Sequence, residues 1–124
     1  MSTTTPTTKT AKFEQEAKAS CSPERLRALA YVNDTMVLRS VAKNPHTPAD
    51  ALRKLAVNQS DDLILCSVAK NPQTPADVLM KLIYTRKLDI RFCVAQNPAV
   101  TSGILRKIAE SGKDLAAILA ASKL

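Results

Sequence analysis

Three segments of the chain repeat one pattern at a nearly constant spacing. They read SVAKNPHTPADALRKLA from Ser40, SVAKNPQTPADVLMKLI from Ser67 and CVAQNPAVTSGILRKIA from Cys93, so that their Asn-Pro pairs lie 27 and then 26 residues apart. A degenerate earlier copy, SPERLRALA, begins at Ser22, and the residues after Ala109 supply a partial last half. A fixed period of this length is typical of repeat proteins. About four units of about 26 residues therefore fill residues 22–124.

Each repeat predicts two short helices joined by turns. In the first full repeat, Thr47 is predicted to cap a helix, Pro48 to take its first position and Asp50 to complete a capping box. The next repeat has the same residue types at Thr74, Pro75 and Asp77. The other helix of each repeat is predicted to end at its Asn-Pro pair, because proline disfavours helical geometry in the residue before it.

Apolar residues recur in both helices at the spacing of a single helix face. The first helices are predicted to bury Ala51, Leu52, Leu55, Ala56, Val78, Leu79, Leu82, Ile83, Ile104, Leu105, Ile108 and Ala109. The second helices are predicted to bury Val37, Ser40, Val41, Ala42, Ile64, Ser67, Val68, Ala69, Ile90, Cys93, Val94 and Ala95. One such pair of helices buries too little apolar surface to be stable alone, so neighbouring repeats must stack. The sequence thus predicts an all-α fold, a short α-solenoid.

The composition favours closely packed helices. Alanine and leucine number 18 and 14, the aromatic residues make up 3%, and glycine occurs twice. Small aliphatic side chains and so few glycines favour helices over a β-sandwich or barrel. Residues 1–20 hold six threonines within the first ten positions and are predicted to form a flexible tail, with at most one marginal helical turn around Phe13. Residues 21–124 are the predicted repeat domain.

The central repeats resemble leucine-rich repeat variant (LRV) units, in VAKNPHTPADALRKLA and VAKNPQTPADVLMKLI. The resemblance implies a right-handed superhelix of alternating α and 3₁₀ helices, related in shape to HEAT and armadillo arrays. The outer units depart from the pattern, since Ser22-Pro23 follows no Asn-Pro pair and residues 99–102 replace the Thr-Pro step. Some LRV proteins carry a cysteine-rich iron–sulfur segment before the repeats, but this chain has only Cys21 there, so no cluster is carried over.

Basic residues also recur at equivalent repeat positions. The chain has 18 lysine and arginine residues against 11 acidic ones, and six of its seven net positive charges belong to residues 21–124. Stacking would align equivalent positions into columns about 10 Å apart. The candidate binding residues are Arg27, Lys43, Arg53, Lys54, Lys70, Lys81, Arg106 and Lys107. Two interpretations stay open: a solvated face that maintains solubility, and a working surface for an acidic partner.

No residue pattern indicates catalysis or a metal site. Cys21, Cys66 and Cys93 form no CxxC pair, whereas zinc and iron–sulfur sites usually need four grouped ligands. Cys93 replaces a serine of the earlier repeats and is predicted to be a packing residue, while a metal or redox pair of Cys66 and Cys93 stays a hypothesis. His46, the single histidine, becomes glutamine or alanine in the other repeats, which predicts an exposed loop position.

These features together predict a non-catalytic scaffold that presents a basic helix face to an acidic protein, without cofactor or metal. Nucleic-acid binding through the basic columns is the alternative, although the repeats offer few aromatic residues for base stacking. A glycosylase-like or metal-redox enzyme is a third hypothesis. The N-terminus lacks the apolar run of a secretory signal, and the longest uncharged apolar run, 115–121, is too short to span a membrane. With an odd cysteine count, this predicts a cytoplasmic location.

Overall fold

The computed structural model describes residues 8–20, 22–58, 61–84, 87–110 and 115–124. Within these ranges the chain forms nine α-helices and no β-strand, which confirms the all-α prediction for the described residues. The helices are α1 (Thr8–Ala19), α2 (Pro23–Leu29), α3 (Thr35–Lys43), α4 (Ala49–Asn58), α5 (Asp62–Lys70), α6 (Ala76–Ile83), α7 (Leu88–Gln96), α8 (Ser102–Glu110) and α9 (Leu115–Ser122). In the described part of the chain, no helix combines the length and the apolar character needed to cross a membrane.

The helices pack in two rows. Helices α1, α3, α5, α7 and α9 contact one another in that order and form the odd row, while α2, α4, α6 and α8 form the even row. Each helix also contacts its sequence neighbour in the other row, so the core lies between the rows. The predicted core positions are buried except Ala56 and Ala109, which are half-buried. The helical periodicity therefore identified the buried faces.

Helix α1 lies within residues 1–20, where the sequence predicts a flexible tail. The structure differs from that expectation over Thr8–Ala19, which forms a helix of 12 residues, while residues 1–7 lie outside the described ranges. Ala17 is fully buried where α1 packs against α3. Arg25 pairs with Glu16 at 2.7 Å and links α1 to α2. Ala17 and the half-buried Phe13 leave little apolar signal in a charged segment, so the helix depends on contacts that only the fold provides.

Two helices of the odd row, α3 and α5, begin at aspartate caps. The carboxylate of Asp34 accepts hydrogen bonds from the amides of Met36 and Val37, and that of Asp61 accepts from the amides of Leu63 and Ile64. These bonds satisfy amides that have no partner within the helix. The described helices of both rows are α-helices, whereas the LRV resemblance implies that α and 3₁₀ helices alternate.

The predicted role of the Thr-Pro step is wrong. Thr74 caps no helix: its buried hydroxyl donates to the carbonyl of Val68 at 2.6 Å, and Thr47 is bonded in the same way. Pro75 is the residue before α6, with extended dihedral angles, and not its first helical residue. The reason lies in Pro72, which lacks the N–H group that would otherwise reach Val68 in a continuing helix. The threonine hydroxyl replaces that missing donor.

A row of buried asparagines connects successive helices of the odd row. Asn71 donates through Nδ2 to the carbonyls of Ala42 at 2.7 Å and of Asn44 at 2.9 Å, both in the preceding repeat. Its Oδ1 accepts from the amide of Gln73 at 2.8 Å. We call Asn44, Asn71 and Asn97 the asparagine row. All three are buried and make the same kinds of bonds.

The asparagine row supplies donors that the ends of the helices lack. The last carbonyls of a helix have no backbone partner within it, and the asparagine of the following repeat provides one. For Asn44 the acceptors are the carbonyls of Ala17 and Ser20, which fasten the end of α1. At the other end of the array, Lys123 donates through Nζ to the carbonyl of Ala95 at 2.6 Å. Each bond joins neighbouring repeats and so holds the spacing of the odd row.

Candidate interaction surface

The candidate basic residues are divided between the two rows of helices. Lys43 and Lys70 are the last residues of α3 and α5 in the odd row. The others lie on the even row, namely Arg27, Arg53, Lys54, Lys81, Arg106 and Lys107. The columns that the sequence predicts therefore belong to two different sides of the molecule, and each side has its own electrostatic environment.

Two arginines of the even row are paired with carboxylates of the next repeat. Arg27 contacts Asp50 at 2.7 Å, and Arg53 contacts Asp77 at 3.0 Å, each through two guanidinium nitrogens. Hydrogen bonding to the arginine lowers the pKa of each aspartate below its usual value. Where the next repeat would continue this series, Met80 replaces the arginine. The aspartates thus act in ion pairs between repeats, in addition to their place in the first turn of α4 and α6.

The ion pair of Asp77 predicts a specific pH dependence for stability. Because its pKa is lowered in the folded state, the stabilisation is present above the unfolded value of about 3.9 and is lost as the pH falls through the folded value. We expect Asp77→Asn to lower the melting temperature slightly at neutral pH, since exposed pairs are weak. That difference should be constant above about pH 5 and shrink as the pH falls below about 3.9 towards the lowered folded-state pKa of Asp77. Thermal unfolding of both proteins across this range at low salt tests the prediction.

A control for this experiment is Glu110→Gln, because Glu110 is exposed and makes no ion pair within the described residues. Its effect should be smaller than that of Asp77→Asn near neutral pH. A difference between the wild-type protein and Asp77→Asn that does not shrink at all as the pH falls below about 3.9 would contradict the assignment, since protonated Asp77 no longer carries the charge that attracts Arg53.

The lysines of the even row do not share one environment. The ammonium group of Lys54 lies 4.3 Å from the centroid of the Tyr31 ring and donates to the carbonyl of Ala30 at 3.4 Å. Contact with the face of an aromatic ring favours a cation. By contrast, Lys81, Arg106 and Lys107 are exposed and make no ion pair within the described residues. The even row thus combines paired and unpaired cations.

The outer side of the odd row carries two grooves with similar linings. One lies between α1 and α3 and is lined by Lys18, Met36, Arg39, Ser40, Lys43, Asn44 and Pro45. The other lies between α3 and α5 and is lined by Arg39, Lys43, Leu63, Cys66, Ser67, Lys70, Asn71 and Pro72. No acidic side chain lines either groove. We call this surface the groove face and define it by Lys18, Met36, Arg39, Lys43, Leu63 and Lys70.

Arg39 is the central cation of the groove face. It is half-buried and lines both grooves, and its buried Nε has no hydrogen-bond partner within the described residues. Arg39, Lys43 and Lys70 make no ion pair there either. A partly desolvated guanidinium without a carboxylate attracts an anion more strongly than an exposed one, because nearby water screens less. Arg39, Lys43 and Lys70 therefore give the groove face positive charge that no ion pair within the described residues compensates.

Exposed aliphatic side chains belong to the same surface. Met36 and Leu63 are the second residues of α3 and α5, and 46% and 55% of their surfaces are exposed. The pattern ends at α7, where Asp89, Phe92 and Gln96 take the equivalent positions. The basic part of the face thus spans α1 to α5 and has a defined length.

The sequence predicted Lys43 and Lys70 as binding residues but missed four members of the groove face. Lys18 lies in the segment that the sequence predicts to be a tail, and Arg39 has no basic equivalent in the other repeats. Met36 and Leu63 are apolar and directly precede the buried residues Val37 and Ile64. Each helix therefore begins with two adjacent apolar residues, of which only the second faces the core. The extra apolar residue is a signal that the sequence contains, although it does not identify which of the two side chains is exposed.

The thiols of Cys66 and Cys93 lie next to each other on α5 and α7. Burial raises the pKa of the Cys66 thiol to about 12, and a hydrogen bond with Cys93 adds to this effect. At neutral pH Cys66 is therefore protonated, which makes it a poor nucleophile and a poor metal ligand. Within the described ranges, no three His, Cys, Asp or Glu side chains are grouped to hold a metal ion. Cys21 lies outside these ranges, and His46 is exposed.

No protein-family model, no curated protein and no solved structure matches the chain. The resemblance to LRV units consequently stays a prediction based on the repeated Asn-Pro segments. The interaction surface is defined by the contacts and charges of this chain alone.

Proposed function

We propose that this chain is a short right-handed α-solenoid of about four LRV-like repeats and that it acts as a non-catalytic protein-interaction scaffold in the cytoplasm. The groove face binds an acidic partner. The observation that carries the proposal is the set of cations at Arg39, Lys43 and Lys70, which have no carboxylate partner within the described residues. The asparagine row supports it, because buried bonds between repeats hold these side chains on a rigid surface.

The same observation favours an acidic protein over nucleic acid as the partner. The basic part of the groove face crosses α1 to α5, which is about 20 Å at the usual distance between packed helices. A phosphate backbone would be neutralised at few positions over that length, and affinity for nucleic acid depends on the number of such contacts. Met36 and Leu63 also place exposed aliphatic surface beside the cations. A charged phosphate backbone offers no apolar group that could cover this surface.

The test compares two triple variants with equal changes in charge. Arg39→Gln, Lys43→Gln and Lys70→Gln remove the cations of the groove face, and Arg106→Gln, Lys81→Gln and Lys107→Gln remove unpaired cations of the even row. We expect the first variant to bind polyglutamate at least about tenfold more weakly than the wild-type protein in low salt, whereas the second changes affinity by less than about threefold. Isothermal titration calorimetry measures both, after circular dichroism has shown that both variants are helical.

Two outcomes would contradict the proposal. Equal losses in both variants would mean that net charge and not the groove face attracts polyglutamate. Tighter binding of a duplex oligonucleotide than of polyglutamate, with a steep dependence on salt, would instead support the nucleic-acid alternative.

A further inference from the structure

The two grooves are lined by the same kinds of side chains and lie one helix apart along the odd row. Each groove has an exposed aliphatic side chain near the start of a helix, which is Met36 in one and Leu63 in the other. Each has a lysine at the end of that same helix, which is Lys43 or Lys70. Arg39 lies between these ends and lines both grooves. A partner that crosses the odd row therefore meets the same pair of groups twice.

We infer that the groove face binds an extended acidic segment of a partner protein, in the polyproline II conformation, in which an aliphatic side chain occurs at every third position. The inference rests on the proposed function and specifies the partner's sequence. Aliphatic side chains contact Met36 and Leu63, and the acidic residues between them contact Arg39, Lys43 and Lys70.

The spacing follows from the dimensions of helices and extended chains. Packed helices lie about 8–10 Å apart, and an extended chain in the polyproline II conformation rises about 3.1 Å per residue and returns its side chains to the same side at every third residue. Three residues of the partner therefore span the distance between the two grooves. Along each helix, the aliphatic residue and the lysine are seven positions apart, which corresponds to about 10 Å. An extended chain that runs between them faces aliphatic groups on one side and ammonium groups on the other.

The size of the grooves agrees with single side chains as occupants. Their volumes are about 300 and 250 Å³, at or below the lower end of clefts that enclose whole small molecules, about 300–1,000 Å³. The basic surface also ends at α7, where Asp89 takes the place of the aliphatic residue. About 20 Å of surface corresponds to six or seven residues of polyproline II chain. A short linear segment fits these limits.

The test uses the full chain and three fluorescein-labelled peptides of twelve residues. One alternates a leucine with two glutamates, the second contains only glutamate, and the third has the composition of the first with its leucines in one block. We expect the alternating peptide to bind at least about tenfold tighter than either of the others in fluorescence anisotropy titrations. The difference between the first and third peptides isolates spacing, because their composition and charge are equal.

Matched variants locate the contacts. Met36→Ser combined with Leu63→Ser should reduce the affinity for the alternating peptide to that for the glutamate peptide and leave the latter unchanged. Val57→Ser is the control, since Val57 is equally aliphatic and exposed but lies on α4 in the even row. Arg39→Gln should weaken all three peptides, whereas Arg106→Gln should weaken none by more than about threefold.

The outcomes separate this inference from the proposed function. Equal affinities for all three peptides, together with weaker binding by the Arg39→Gln variant, would overturn the inference and leave the acidic-partner proposal standing. Block and alternating peptides that bind alike, or serine variants that keep the preference for the alternating peptide, would overturn it as well. Absence of binding by every peptide would overturn both proposals.

Discussion

Replacing Asn71 by alanine is expected to lower the free energy of unfolding by about 3 kcal/mol. The substitution removes two buried donors, to the carbonyls of Ala42 and Asn44, and one acceptor for the amide of Gln73. A buried polar group left without its partner costs about 1–3 kcal/mol. The loss is largest for the Ala42 carbonyl, because this carbonyl belongs to the last turn of α3 and has no hydrogen-bond partner within the helix. Urea denaturation followed by circular dichroism measures the change.

The control for this variant is Gln73→Ala in the same turn. Gln73 is exposed, and its backbone amide, which donates to Asn71, is unaffected by the substitution. Its effect should be within about 0.5 kcal/mol, as is usual for exposed positions. If Asn71→Ala also changed stability by less than about 1 kcal/mol, the asparagine row would not be what joins the repeats.

Replacing Leu55 by alanine should have a comparable effect, about 3 kcal/mol, for a different reason. Leu55 is 0% exposed and belongs to the cluster of buried side chains between the two rows. Removing a buried leucine side chain loses its transfer free energy and leaves a cavity, which together cost about 2–5 kcal/mol. The surrounding side chains are short aliphatics on short helices, so few large groups are available to fill the space.

Val57→Ala on the same helix provides the comparison, since Val57 is 68% exposed. We expect a change below about 0.5 kcal/mol. The two substitutions lie two residues apart on one helix, and each replaces an aliphatic side chain by alanine. The difference in helix propensity between them is therefore small compared with the effect of burial. Similar destabilisation by both would mean that the even row buries a different face from the one described.

Much of the helical core was predictable because its signal is local and repeated. Leu52 and Leu55, and their equivalents in the other repeats, lie at the spacing of one helix face, and a face that repeats three times is hard to mistake. Helix α1 was not predictable in this way. Ala17 is buried and Phe13 is half-buried against the core, and Asn44, from 27 positions after Ala17 in the chain, joins the helix to the array. A helix held mainly by distant partners leaves little trace in its own sequence.

The polar residues show the same limit more sharply. Thr74 and Asp77 have the residue types and the positions of a helix cap, yet one serves the preceding helix and the other an arginine of the neighbouring repeat. Sequence spacing identifies which residues are near a helix start. It does not identify which of several acceptors or charges will be nearest once the helices have packed.

By itself, the sequence determined that the described chain is helical, where its repeats lie and which helix faces are buried, because these depend on periodicity within about ten residues. The tertiary structure alone decided which cations are neutralised. Arg27 and Arg53 meet aspartates 23 and 24 positions away, whereas Arg39, Lys43 and Lys70 meet none within the described residues. Whether a cation forms an ion pair depends on the distance between stacked helices. In water, Coulomb attraction between distant charges is weak, so these ion pairs form only after stacking has brought the charges close together.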